Sequence, residues 1–343
     1  MRTRRLGETP VTAIGGGDLC LATSAARGVP RRDVEHALHE AISLGVTLFD
    51  VAPDADSERL AGLAVRDHRA RDRVIVATHV PALAPRPGAP VRDVVPERLP
   101  PAYVQRRVED SLRATRLDAL PLAQLAVRPA WLTSRAWPEL VGTCARLVRE
   151  GKVLGWGAVL DDPTDEAAPA VVAEPWLRAI SVVYHLCDRR AEPVIAAADQ
   201  REPPLAVLAR QPLAGGALTG NLGPGVRLPP RDDRGDLDAA ALERIAVAIA
   251  RLSVLVKREP PAVRSCDAAR QAAEVAARAG RPSQIDCNDV AELALRFVLD
   301  RTGRAGIALP RLHRREHLLP AIAAAAAPPL APEIIARILD DAG

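Results

Sequence analysis

Short apolar segments alternate with amphipathic helical stretches along this chain, and the alternation constrains its fold more than any other feature. Residues 33–44 carry apolar side chains at helical spacing, and Gly45 follows them as a helix terminator. Residues 46–50 and 74–78 are short, β-branched and apolar, as in strands buried on both faces of a parallel sheet. Such an alternation indicates an α/β protein built around a parallel sheet.

Eight strand–helix units fit into the 343 residues, which favours a closed (β/α)8 TIM barrel. The predicted strands cover residues 13–17, 46–50, 74–78, 120–126, 154–159, 179–184, 205–209 and 305–309. Ser57 is the predicted N-cap of a helix over residues 57–65. The competing interpretation, an open dinucleotide-binding sheet, lacks its Gly-x-Gly-x-x-Gly motif after the first strand. We therefore interpret residues 1–343 as a single barrel domain with an insertion at about 257–288.

The composition makes several other classes of protein poor candidates. No run of about 18 residues is free of charge, and no apolar core follows the basic N-terminus, so we expect neither a membrane span nor a signal peptide. Five cysteines without a Cys-x-x-Cys pair fit reduced thiols in a cytoplasmic protein better than disulfides or a zinc site. Arginines are spread over the whole length and aromatic residues make up only 2%, which disfavours nucleic-acid binding.

Tyrosine and lysine are scarce, and this scarcity restricts the possible chemistry. The chain has only two tyrosines, Tyr103 and Tyr184, and only two lysines, Lys152 and Lys257. A mechanism that needs either residue type must therefore use one of these four positions. The preference for arginine over lysine is itself typical of a GC-rich genome.

Asp50 and His79 end neighbouring predicted strands, where the active site of a (β/α)8 barrel lies. Their side chains should therefore converge at the mouth of the barrel. A carboxylate beside a histidine fixes the tautomer of the ring and stabilises its charged form, which suits proton transfer near neutral pH. The alternative is that Asp50 makes a local structural pair and that His79 only fills space.

Four further residues near strand ends are candidate substrate ligands: His185, Arg210, Tyr184 and Arg128. Arg210 has the fork of donors that suits a carboxylate or a phosphate, but it could equally pair with Asp161 or Asp188. For Tyr184 and His185, packing beneath the mouth and a place on its rim are the alternatives to a role as hydrogen-bond donors.

Two weaker signals concern metals and thiols. Asp54, Asp56 and Glu58 make the second strand–helix loop acidic, but acidic residues near a helix N-terminus commonly serve the helix dipole, so we predict no metal site. Cys20 and Cys187 fall near predicted strand ends, where a reactive thiol and a small buried apolar side chain are both open interpretations.

Segments over nearly the whole chain resemble the aldo-keto reductase family, and they occur in the family's order. The matching segments are Arg4-Arg-Leu-Gly-Glu-Thr-Pro-Val-Thr12, Gly45-Val-Thr-Leu-Phe-Asp50-Val-Ala52, Ser57-Glu58-Arg-Leu-Ala-Gly62, Tyr103-Val-Gln-Arg-Arg-Val-Glu-Asp-Ser-Leu112, Leu147-Val-Arg-Glu-Gly-Lys-Val153, Pro212-Leu-Ala-Gly-Gly-Ala-Leu-Thr-Gly220 and Glu292-Leu-Ala-Leu-Arg-Phe-Val-Leu299. The resemblance implies a (β/α)8 barrel of the aldo-keto reductase type, with an N-terminal hairpin at about residues 2–12.

The resemblance also implies hydride transfer from NADPH to a carbonyl group by four residues: Asp, Tyr, Lys and His. Only the Asp is retained here, as Asp50. Ala55 stands at the Tyr position, His79 at the Lys position and Ala126 at the His position. Loss of a positioned general acid costs about 10²–10⁴ in rate, so the sequence favours loss of carbonyl reduction.

The family's cofactor positions differ as well. Val159-Leu160 replaces a Ser-Asn pair, Arg210 an aromatic ring, Gln211 a serine, Arg311-Leu-His313 a Gly-x-Arg phosphate loop, and Ala321 an asparagine. From these replacements we predict that NADPH, the family's cofactor, is not bound and that no cofactor is needed. His313, Arg314 and Arg315 would still suit some anion.

Three functions remain open at this stage. The favoured one is a repurposed enzyme of bacterial specialised metabolism that uses Asp50 and His79 for non-redox proton transfer, such as elimination, isomerisation or cyclisation. The second is a pseudoenzyme that acts as a binding or regulatory partner, and the third is an NAD(P)H-dependent oxidoreductase with an atypical site. We expect a small, anionic ligand at the barrel mouth, and the insertion at 257–288 is a candidate surface for a protein partner.

Overall fold

The computed structural model describes residues 1–84, 94–223, 225–228, 232, 234, 238–256 and 289–342. The predicted insertion at 257–288 lies outside the described residues. Within them, two short strands form an antiparallel hairpin, β1 (Thr3–Leu6) and β2 (Thr9–Thr12). The hairpin is followed by the eight strands of a parallel sheet.

The parallel strands follow one another around a barrel in chain order, as the sequence predicted. They are β3 (Gly16–Leu19), β4 (Leu48–Val51), β5 (Ile75–Val80), β6 (Leu122–Ala126), β7 (Trp156–Val159), β8 (Leu177–Val183), β9 (Ala206–Arg210) and β10 (Gly306–Leu309). A parallel bridge between Ile14 and Ala308 joins the last strand to the segment that leads into β3. This bridge closes the sheet, so the prediction of a (β/α)8 barrel is confirmed.

Helices surround the barrel and follow most of its strands. They are α1 (Leu21–Ala26), α2 (Arg31–Ser43), α3 (Ala55–Asp67), α4 (Val95–Arg98), α5 (Pro101–Thr115), α6 (Trp137–Arg149), α7 (Ala168–Val172), α8 (Glu192–Gln200), α9 (Ala239–Leu252), α10 (Val290–Arg301), α11 (Arg315–Ala326) and α12 (Pro332–Asp341). The apolar positions that predicted α2 are the residues it buries against the core. None of the described helices is long and apolar enough to cross a membrane.

Helix α3 begins earlier than predicted, because Asp54 rather than Ser57 caps it. One carboxylate oxygen of Asp54 accepts hydrogen bonds from the backbone N–H groups of Asp56 and Ser57, at 3.2 and 2.8 Å. An aspartate one turn earlier offers the same cap as a serine. The Ser57 hydroxyl instead accepts a hydrogen bond from the backbone N–H of Leu21, at 2.9 Å, and so ties α3 to α1.

The hairpin closes the end of the barrel where the strands begin. Leu6 and Val11 of the hairpin pack in one apolar cluster with inward-facing residues of the strands, among them Leu48 and Ile75. Arg2, next to the hairpin, forms an ion pair with Asp300 at 2.5 Å. Among the described residues, the hairpin therefore fills the end of the barrel where the strands begin.

Candidate active site

A cavity of about 830 Å³ lies at the end of the barrel where the strands finish. Its floor includes residues from the ends of six strands: Asp50, His79, Ala126, Val159, Arg210 and Leu309. From the floor it extends past the loop after β9 to the beginning of α11, where Arg314, His317 and Ala321 line it. The volume is within the range of pockets that enclose small organic molecules and cofactors.

Asp50 and His79, the predicted proton-transfer pair, are in contact on the floor of this cavity. Nε2 of His79 lies 2.7 Å from Oδ1 of Asp50. The side-chain amide of Gln124 donates to the same carboxylate oxygen at 2.8 Å. The amide oxygen of Gln124 in turn accepts a hydrogen bond from the hydroxyl of Ser181. A chain of hydrogen bonds therefore runs from β8 through β6 to the pair on β4 and β5.

Strand register explains why these side chains meet. His79 and Gln124 are Cα partners in the pairing of β5 with β6, and Asp50 is the partner of Ala77 on β5. Because parallel strands in register place their C-terminal ends at the same level of a barrel, the three side chains occupy neighbouring positions on its inner face.

The Asp50 carboxyl group is buried but remains ionised. Burial acts to raise its pKa, whereas the charge of His79 and the hydrogen bonds from His79 and Gln124 lower it more strongly. Arg210 adds a smaller lowering effect, and the pKa of Asp50 ends below its ordinary value of 3.8. Since an ionised carboxylate only accepts hydrogen bonds, Nε2 of His79 must carry its hydrogen, and Nδ1 is left for a molecule in the cavity.

This pKa shift predicts a pH dependence of stability. Because the folded-state pKa of Asp50 lies below the unfolded value, its contribution is complete above about pH 4 and is lost as the pH falls through the lowered pKa. Acid unfolding of the protein and of Asp50→Asn, followed by circular dichroism, checks this. The stability difference between the two should shrink as the pH falls below 4, and a constant difference would contradict the assigned ion pair.

Neither tyrosine reaches the cavity. Tyr184, a predicted substrate ligand, is fully buried on the outer side of the sheet, where its ring stacks on Phe297 and its hydroxyl donates to Glu192 at 3.0 Å. Tyr103 donates its hydroxyl to the backbone oxygen of Pro81 at 2.9 Å. Ala55 occupies the first turn of α3, so none of the described residues that line the cavity supplies a phenolic hydroxyl.

His185 and Arg128, two further predicted substrate ligands, do not line this cavity. His185 is buried below the rim, and burial lowers its pKa to about 4, so the ring is neutral at pH 7. Arg128 is exposed at the start of the 3₁₀ turn Pro129–Thr133. Each of them lies two residues beyond the end of its strand, β8 for His185 and β6 for Arg128.

Arg210 does line the cavity, opposite the Asp50–His79 pair. One of its terminal nitrogens donates to Oδ1 of Asp161 at 3.1 Å. Of the two partners considered from the sequence, Asp161 is therefore the one found. Asp188 pairs instead with Arg190, at 2.7 Å.

Basic side chains lie around His313 in the outer arm of the cavity, and two of them pair with carboxylates: Arg311 with Asp18, and Arg314 with Glu316 at 3.5 Å. Burial lowers the pKa of His313 to about 3, and each charged neighbour that shifts it further is a basic side chain: His317, Arg311, Arg27 and Arg314. The rings of His313 and His317 meet edge to face, with centroids 5.2 Å apart. A buried neutral ring among arginines indicates a place where an anion would be stabilised.

The acidic and thiol residues noted in the sequence serve structural purposes. Asp54 caps α3, and the buried Glu58 pairs with Arg107 at 2.7 Å. The part of the chain described by the structure holds no group of three or more side chains suited to a metal ion. Burial raises the pKa of the Cys187 thiol to about 12, so it is not a reactive thiolate at neutral pH.

Gln124 and Ser181 belong to the site although the sequence interpretation did not include them. Both lie inside strands, at positions where the neighbouring residues are apolar and buried. A polar residue in the middle of an otherwise apolar strand was the available signal, because such a group must find a partner in the barrel interior.

Comparison with known proteins places this site in context. A model of the aldo/keto reductase family matches residues 13–340. An aldo-keto reductase from Bacillus halodurans in its holo form is similar over 99% of this chain and 96% of its own, with 20% identity and a TM-score of 0.66. Glycerol dehydrogenase from Gluconobacter oxydans matches with 21% identity, coverage of 98% and 94%, and a TM-score of 0.67.

A third similar structure bears on the cofactor. It is an aldo-keto reductase from Klebsiella pneumoniae in complex with NADPH, with 22% identity, coverage of 98% and 93%, and a TM-score of 0.61. A further structure from the same organism, at 24% identity, contains NADP and acetate. These findings overturn the prediction that no cofactor is expected, which relied on replaced side chains alone and did not consider the shape of the cavity.

Proposed function

Because this chain belongs to the aldo/keto reductase family, we propose that it is a nicotinamide-nucleotide-dependent oxidoreductase of carbonyl compounds with an atypical proton donor. The observation that carries the proposal is the single cavity that connects the Asp50–His79 pair with the basic arm around His313. A nucleotide cofactor needs both a place for its phosphates and access to the reacting groups, and this cavity offers both.

The residues of the outer arm fit a phosphorylated nucleotide. Arg311, His313, Arg314 and His317 line it, and the two guanidinium groups would stabilise phosphate groups. When bound, the nucleotide supplies the hydride that reduces a carbonyl carbon. At the inner end, Val159, Arg210 and Gln211 line the cavity and would contact the reacting part of the cofactor or the substrate.

His79 is the group best placed to give a proton to the carbonyl oxygen. Asp50 remains ionised and holds Nε2–H, so a second proton on His79 must be on Nδ1, which faces no protein acceptor among the described contacts. After that proton is transferred, the imidazole ring of His79 is neutral and its Nε2–H still donates a hydrogen bond to Asp50. Imidazole suits this task because it exchanges protons near neutral pH.

Gln124 and Ser181 position the pair and do not donate protons to the substrate. The Gln124 amide fills the second donor position on Oδ1 of Asp50, and Ser181 fixes the orientation of that amide. Because Gln124 and Ser181 are both buried, they hold the Asp50 carboxylate in its orientation towards His79. The proton donor therefore keeps one orientation towards the cavity.

Arg314→Gln tests the assignment of the phosphate arm. Arg314 lines the cavity and its side chain is 41% exposed, so its loss should not disturb the core. A hydrogen bond to a charged group contributes about 1.5–3 kcal/mol, so the Kd for NADPH should rise about tenfold or more. The measurement is a fluorescence titration with NADPH.

Arg315→Gln is the matched control for that titration. Arg315 is the next residue, pairs with Glu40 at 2.9 Å and does not line the cavity. Its replacement should leave the Kd for NADPH unchanged. Equal effects of the two substitutions would show that the arm does not hold the phosphates.

The experiment that tests the function is NADPH oxidation, followed by absorbance, with a panel of aldehydes, ketones and oxo acids. Oxidation that depends on one of these compounds and is lost in His79→Ala would support the proposal. Failure of the wild-type protein to bind NADPH at high micromolar concentration would remove it.

A second candidate function is non-redox proton transfer by the same pair. It is favoured by one observation: among the described residues that line the cavity, none carries the phenolic hydroxyl expected of the family's reductases. In this case a substrate would be isomerised, cyclised or dehydrated without consumption of NADPH. Product analysis by mass spectrometry in the absence of NADPH distinguishes the two functions.

A further inference from the structure

We propose that Arg210 binds a carboxylate of the substrate, so that the compounds accepted by this site are carbonyl compounds that carry a carboxylate. That the substrate is a carbonyl compound rests on the proposed function. The binding of its carboxylate does not, and it can be measured without turnover. It extends the function by naming a substrate class and the residue that selects it.

Arg210 is placed to contact a molecule that also contacts the Asp50–His79 pair. It is the last residue of β9 and lines the same cavity as Asp50 and His79. It is near enough to Asp50 for its charge to help lower the pKa of that carboxyl group. A molecule between Arg210 and His79 would therefore have an anionic group held on one side and a proton donor on the other.

The hydrogen bonding of Arg210 is the second argument. A guanidinium group has five N–H donors in a planar fork. Nη2 donates to Asp161, and the Arg210 side chain, which lines the cavity, is 24% exposed. The guanidinium group is therefore accessible to a molecule in the cavity. A carboxylate matches the fork with two parallel hydrogen bonds.

A ligand could easily displace Asp161, the ion-pair partner of Arg210. The Asp161 side chain is 79% exposed, and ion pairs of such exposed groups contribute little to stability. Two of the other cavity arginines, Arg27 and Arg234, differ from Arg210 in this respect. Arg27 and Arg234 share the fully buried carboxylate of Asp232, which a ligand cannot readily replace.

Binding of malonate, a non-reducible dicarboxylate, tests the proposal directly. Calorimetry or ligand-observed NMR should show malonate binding to the wild-type protein and binding weakened at least tenfold in Arg210→Gln. Malonamide, which has the same skeleton without charge, should bind neither protein measurably. Each titration is run with and without NADPH, and the NADPH titration itself reports separately on the proposed function.

Asp161→Asn gives a prediction of the opposite sign. If Asp161 competes with the ligand for Arg210, its neutralisation should tighten malonate binding, whereas a purely structural ion pair would give no tightening. Arg190→Gln is the matched control, because Arg190 also pairs with a loop aspartate, Asp188, but does not line the cavity. It should bind malonate like the wild type.

Each possible result of these titrations either supports or overturns the role of Arg210. Wild-type affinity for malonate in Arg210→Gln, or no malonate binding to the wild type, would overturn the role of Arg210. Malonate binding that is weakened by Arg314→Gln but not by Arg210→Gln would place the anion in the outer arm and would overturn it as well. Intact malonate binding together with absent NADPH binding would support Arg210 and refute only the reductase assignment.

Discussion

Replacement of His79 by alanine is expected to lower kcat for carbonyl reduction by about 10²–10⁴-fold, the contribution of a positioned general acid. The structure gives the reason. His79 is the titratable side chain that contacts Asp50 and lines the cavity, and no tyrosine lies among the described lining residues to take over the proton. The Kd for NADPH should change little, because the phosphate arm lies at the other end of the cavity.

His36→Ala is the control for that measurement. His36 lies exposed on α2, outside the cavity, so this substitution makes the same chemical change without touching the site. It should retain wild-type kcat and thermal stability. If His79→Ala keeps its activity while its Kd for NADPH stays normal, the Asp50–His79 pair is not the proton donor.

The fold and the central pair could be predicted from the sequence because both follow from strand order. Short buried strands alternating with helices indicate a barrel, and the strand that carries His79 follows the one that carries Asp50. Parallel strands in register then bring the two side chains together, and the observed 2.7 Å contact agrees with that expectation. No long-range information was needed for either step.

The remaining site residues depend on details that the sequence pattern does not contain. A shift of one residue along a strand moves a side chain to the other face of the sheet. Ser181 of β8 therefore points into the barrel, whereas Tyr184, just beyond that strand, packs outward against Phe297. The basic arm combines residues after β10 with Arg27 after α1, and only the folded chain brings these together.

Glu58 belongs to the acidic loop in which no metal site was predicted, and its packing shows a structural role. Its side chain is 1% exposed, and a single oxygen, Oε1, accepts three hydrogen bonds. The donors are the hydroxyl of Thr78 at 2.5 Å, the hydroxyl of Ser111 at 2.7 Å and the guanidinium of Arg107 at 2.7 Å. Glu58 thus joins α3, β5 and α5 directly behind the strand that carries His79.

Glu58→Ala is expected to lower the free energy of unfolding by about 3–5 kcal/mol, because removal of one partner leaves a buried charge on the other. Arg107 has a side chain that is only 12% exposed, so water cannot fully replace the lost carboxylate. Urea unfolding followed by circular dichroism measures the change. The exposed ion pair of Arg31 with Glu35 supplies the control, Glu35→Ala, whose cost should not exceed about 1 kcal/mol.

The double variant Glu58→Leu with Arg107→Leu separates the cost of an unpaired charge from the net contribution of the pair. Taking both charges out removes the need to bury either, and replacing a buried ion pair with apolar side chains is often close to neutral. The double variant should therefore be more stable than Glu58→Ala, although both variants lose the same three hydrogen bonds to Glu58. If it is no more stable, the unpaired charge of Arg107 is not the main cost of Glu58→Ala. That cost would then come from the loss of the common acceptor of Thr78 and Ser111, which both variants lack.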